Sequence, residues 1–159
     1  MNRLLMWIQP ENYSSGIGYQ TVQGLYAIGS GGLFGKGLGK SLQKLGFIPE
    51  SQNDMIFSII CEELGLFGAM CIILVFALML WRIIHIAQNA PDLFGTMLAA
   101  GVFAHVAVQV VLNIAVVTNF IPNTGVSLPF ISYGGTASFF LLLEMGIVLN
   151  ISSKIRLER

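Results

Sequence analysis

LGLFGAMCIILVFALMLWRII, from Leu64 to Ile84, decides the fold. The run carries no charge before Arg82 and, as a helix, is long enough to cross a hydrocarbon core about 30 Å thick. Arg82 stands near one end, where a long side chain can lift its charge into water. The rest of the chain agrees. It is 55% hydrophobic and 10% charged, against about 25% charged in soluble domains, and its mean hydropathy is +0.76. A second span reads LFGTMLAAGVFAHVAVQVVLNIAVV, residues 93–117, with Asn89, Pro91 and Asp92 as its start signal. A third, 136–153, is shorter and holds Glu144 in mid-span. The expected fold class is therefore all-α, a polytopic membrane helix bundle.

Outward from these spans, residues 1–54 form a large polar prelude with short helices and a glycine-rich segment. Residues 118–135 connect the last two spans, and 154–159 form a tail. The first span is placed at about 55–84. Basic residues divide evenly between the two sides: Arg3, Lys36, Lys40 and Lys44 against Arg82, Lys154, Arg156 and Arg159. Charges dense beside helix ends carry the orientation rule, which puts the tail in the cytoplasm and the prelude outside. MNRLLMWIQPE has too short an apolar core for a secretory signal. Export of the prelude therefore implies helices before Met1. The connection NFIPNTGVSLPFISYGG is rigid and apolar, so it is expected to re-enter the bundle, where non-helical backbone is buried by protein. The zero net charge offers no basic face for nucleic acid. Cys61 and Cys71 lie about 15 Å apart on one helix and cannot pair with each other.

Several residue groups carry possible chemistry. GGLFGKGLGKS, 31–41, resembles a phosphate-binding P-loop, but Phe34 stands where the first glycine belongs and no strand precedes it. Its glycines either attend a phosphate or serve packing and turns. Asp54 lies just before the first span, about 15 Å above Leu64 on a continuous helix. It is either a dipole-favoured first-turn acid or a group facing a cavity. Glu62 and Glu63 mark the membrane boundary, where adjacent carboxylates must face protein or water. His105, Gln109 and Asn113 recur every fourth residue and form one polar stripe, which points to interhelical hydrogen bonds or to a polar path. Glu144 is a mid-membrane carboxylate, either functional or structurally paired.

Four blocks then carry a resemblance: AIGSGGLFGKGLGKSLQKLGFIPE (27–50), NDMIFSIICEELGLFG (53–68), QVVLNIAVVTNFIPNTGVSLPFISYGG (109–135) and the closing span with Glu144. In order and spacing they resemble the SEDS family, the peptidoglycan polymerases represented by FtsW, RodA and SpoVE. The form GKGLGKSLQKL is closest to the division and sporulation branch. The resemblance implies a ten-helix protein, of which these are the last three spans with the preceding extracytoplasmic loop. It implies a glycosyltransferase that polymerises lipid II at the bacterial plasma membrane. Asp54, within PESQNDMIF, would be its general base, with Asn53 in place of the usual Thr and Met55 in place of the usual Phe. Ala137 stands where a Ser is common. The leaving pyrophosphate calls for positive charge, with Lys36, Lys40 and Lys44 as candidates and Glu50 beside them. No cofactor is implied beyond a divalent cation, Mg or Mn, for that leaving group. A class B penicillin-binding transpeptidase and the division or sporulation machinery are the implied partners. The alternatives are a lipid II flippase using the polar stripe and Glu144, or a fragment inactive without the remaining helices.

Overall fold

The computed structural model describes residues 7, 17–41 and 53–155. The described residues hold four helices and no strand: α1 (Ile17–Gly31), α2 (Ile56–Gln88), α3 (Leu93–Val117) and α4 (Gly135–Lys154). The last three are long and apolar enough to cross a membrane. Their outer faces stay apolar: Phe67, Met70, Leu74, Val75, Leu78 and Trp81 on α2 are all exposed. A helix apolar on every side either lies deep in a large protein or faces lipid, and this is a membrane protein.

The bundle core is a narrow seam. α3 buries Gly95, Ala99, Val102, Val106, Val110, Asn113 and Val117, spaced by threes and fours, so one stripe faces its neighbours. α4 contributes Leu141, Val148 and Ile151. Asp92 caps α3, its carboxylate accepting from the Gly95 N–H at 3.4 Å. α1 meets the top of α2 through small residues. Thr21, Gly24, Ala27 and Gly31 recur along one face and are buried, and small side chains let helices approach closely. The nearest neighbours of Gly24 are Met55 and Ser58.

The helix expected to run unbroken through Glu62 and Leu64 is interrupted. Gly65 sits at φ 69°, ψ −167°, a conformation open almost only to glycine. α2 also starts at Ile56, which leaves Asp54 in the turn before it. The connection 118–135 packs inward, with Leu128, Pro129 and Ser132 buried and the Ser132 hydroxyl accepting from the Leu128 N–H at 2.7 Å.

Candidate functional site

A break in a membrane helix exposes backbone groups that lipid cannot satisfy, each costing several kcal/mol if left bare. In a continuous helix the N–H groups of Leu66 and Phe67 would reach the carbonyls of Glu62 and Glu63. Here the glycine-rich segment enters the gap and pairs with all four. Lys36 N–H donates to the Glu62 carbonyl at 2.9 Å and Gly37 N–H to the Glu63 carbonyl at 3.0 Å. Leu66 N–H donates to Gly32 at 3.0 Å and Phe67 N–H to Leu33 at 3.2 Å. Two helical bonds are replaced by four between segments. The approach is close enough that a Cβ on Gly35 would overlap the Glu63 carbonyl and the Gly65 nitrogen, and one on Gly31 would overlap the Cys61 carbonyl. At Gly31 and Gly35, then, packing against α2 is what requires glycine.

Side chains reinforce the insertion. Glu62 is fully buried. Its Oε1 accepts from Lys36 Nζ at 2.7 Å and from the Ser30 hydroxyl at 3.3 Å, and its Oε2 accepts from the Ser41 hydroxyl at 2.5 Å. The donors come from the end of α1 and from the middle and end of the segment that fills the gap. Lys36 keeps 33% of its side-chain surface exposed. Glu63 is half-buried, its Oε1 shielded from solvent and without a hydrogen-bond partner among the described residues. Lys40 is exposed on the same segment. Lys44 and Glu50 lie outside the described residues.

Asp54 is fixed by its backbone and its neighbour. Asn113 Nδ2 donates to the Asp54 carbonyl at 2.9 Å and to the Val126 carbonyl at 2.7 Å. One fully buried amide on α3 thus ties the turn before α2 to the 118–135 connection. Met55 is 1% exposed and anchors the other side of the turn against α1. The Asp54 side chain is itself half-buried. We expect Asn113→Ala to destabilise the protein by about 2–4 kcal/mol, since it strands two part-buried carbonyls. A melting temperature in detergent within 1 °C of wild type would contradict this account.

The polar stripe divides by function. Asn113 serves the Asp54 turn, whereas His105 Nδ1 lies 3.0 Å from Glu144 Oε2 and joins α3 to α4. Gln109 lies between them, half-buried. Among the described residues no three His, Cys, Asp or Glu side chains gather as an ion site.

With this geometry in view, the family model described as cell cycle protein, FtsW/RodA/SpoVE, matches residues 1–157. The chain belongs to the FtsW/RodA/SpoVE family. Within that family it is 48% identical to stage V sporulation protein E of Bacillus subtilis, over 96% of this chain and 42% of that one. It is 44% identical to the probable peptidoglycan glycosyltransferase FtsW of Trichlorobacter lovleyi, over 99% and 41%. Its fold is similar to a chain of a peptidoglycan synthase complex studied for the coordination of polymerization and crosslinking. That match has TM-score 0.76 and 25% identity and covers 99% of this chain and 42% of that one. It is also similar to the rod shape determining protein RodA of Thermus thermophilus, with TM-score 0.64, 30% identity and coverage of 85% and 41%. The chain spans about two fifths of the curated relatives it matches. Of the residues that build this insertion, sequence reasoning missed Ser30, Ser41 and Gly65. The one available signal was a lone glycine inside an apolar helical run directly after two carboxylates.

Proposed function

We propose that this chain is the catalytic C-terminal portion of a peptidoglycan glycosyltransferase that polymerises lipid II, with Asp54 as general base. The observation that carries this reading is the anchoring of Asp54 in the turn before a membrane helix, in a chain 44% identical to an FtsW named as a probable peptidoglycan glycosyltransferase. Asp54 then stands at the outer face of the bacterial plasma membrane, at lipid-headgroup height, with the C-terminal tail in the cytoplasm. Its carboxylate takes the proton of an acceptor sugar hydroxyl as that oxygen bonds to the anomeric carbon of the lipid-linked donor. The anomeric C–O bond breaks and undecaprenyl pyrophosphate leaves with the electron pair. Lys40, exposed on the inserted segment, supplies positive charge for the leaving group, and Lys36 and Lys44 are the further candidates. The described residues gather no ligand set for a divalent cation, so no step here runs through one. A penicillin-binding transpeptidase partner belongs to this reading, and the coordination of polymerization and crosslinking studied in the similar synthase complex supports it.

Incubating lipid II with the protein expressed from its complete reading frame tests the reading. Glycan strands resolved on a gel are expected, and their absence at every cation and pH condition tried would overturn it. A flippase would depend instead on the mid-span polar groups. His105 and Glu144 partner each other, and Asn113 is bonded to two carbonyls, an arrangement that suits interhelical structure. Glu144→Gln should therefore lower stability by about 1 kcal/mol and leave polymerisation within about threefold of wild type. A complete loss of lipid II translocation in vesicles, with polymerisation retained, would favour transport.

A further inference from the structure

The inserted segment has a role the proposed chemistry does not yet use. α2 consists of an upper piece, entered from Asp54, and a membrane piece beyond Gly65, so the angle at the break sets where Asp54 stands. That angle is not held by the helix itself. Asn113 and Met55 hold the turn at Asp54, and the break itself is held by the four backbone bonds to Gly32, Leu33, Lys36 and Gly37 and by a fully buried carboxylate that gathers Ser30, Lys36 and Ser41. A buried carboxylate without its cation would oppose the insertion, because an isolated charge is strongly disfavoured there. Lys36 therefore belongs electrically to Glu62, at 2.7 Å.

We propose that Glu62 and Lys36 are positioning residues. Their ion pair clasps the glycine-rich segment into the break of α2 and so fixes the placement of Asp54. The proposal rests on the glycosyltransferase reading for its kinetic arm. It differs from a headgroup-ligand role for Lys36 in a measurable way. A ligand acts alone and through substrate affinity, whereas a clasp has two equal halves and acts through the placement of the base.

The test uses the protein from its complete reading frame, with Glu62→Gln, Lys36→Met and the double variant. The double variant leaves no buried charge and guards against simple misfolding. In nanodiscs, hydrogen exchange at the amides of 36, 37, 66 and 67 is expected to speed up at least about tenfold in all three, with the middle of α3 unchanged. Polymerisation kcat is expected to fall about 10²-fold, as for a base misplaced by about 1 Å, with KM within about threefold. The double variant should be no worse than either single one, as for residues acting as one unit. Wild-type exchange rates in Glu62→Gln would overturn the clasp, as would fast exchange with undiminished kcat. A raised KM in Lys36→Met alone would return Lys36 to the substrate. The exchange measurement decides the clasp even in a preparation that makes no polymer, so its failure and that of the glycosyltransferase reading are separately visible.

Discussion

Asp54→Ala is expected to reduce lipid II polymerisation by about 10²–10⁴-fold, the usual contribution of a positioned general base. The loss should appear in kcat, because the side chain acts on the proton in flight rather than on the lipid at rest. The protein itself should survive. One bond that holds this turn runs from Asn113 Nδ2 to the Asp54 carbonyl, which alanine keeps, and Met55 remains as the plug beside it. Asp54→Asn, which preserves shape and removes basicity, should match the alanine variant within about tenfold. Strand length on gels and initial rates with labelled lipid II are the measurements. Polymer at wild-type yield from either variant would remove Asp54 from the chemistry and leave the polymerase reading without its base.

The second large effect is predicted at Gly65. A Cβ there would strike the Gly35 nitrogen and the Leu33 carbonyl, which are backbone atoms with nowhere to retreat. The φ, ψ pair alone costs a side chain about 1–3 kcal/mol. Expelling the inserted segment would also break bonds worth about 1 kcal/mol each. Gly65→Ala is therefore expected to destabilise the protein by on the order of 3 kcal/mol or more and to abolish polymerisation. Gly101→Ala is the control, since it lies within α3 and its added Cβ would meet nothing within 4 Å. It should be neutral or slightly stabilising, by about 0.5–1 kcal/mol. Thermal unfolding in detergent compares the two. Equal melting temperatures would mean that the break at Gly65 is not rigid.

The spans were legible because hydropathy is additive along the chain. The run after Leu64 is apolar enough to sit in lipid whatever its neighbours do. Asp54 is a candidate through its surrounding pattern alone, and the stripe at 105, 109 and 113 was legible through helical spacing. Its partners were not legible, since periodicity shows which face a residue shares and not what lies opposite. So His105 and Asn113, two turns apart, serve different neighbours. The break at Gly65 was hidden for a deeper reason. Hydropathy and length read 56–88 as one helix, and the groups that permit the interruption are main-chain N–H and C=O on a segment some thirty residues earlier. Backbone bonding leaves no side-chain signature. Only the glycines at 31, 35 and 65 record it, as missing volume, and one sequence cannot show that two absences face each other. Glu62 and Glu63 could be read only as boundary carboxylates facing protein or water; the structure gives Glu62 a lysine and two hydroxyls from in and around the inserted segment.

The order of synthesis gives this insertion a last consequence. Residues 32–37 leave the ribosome before 62–67, so the mate for the interrupted stretch already exists when that stretch emerges. The four hydrogen bonds that close the break can therefore form as soon as 62–67 emerges, with no wait for any later part of the chain.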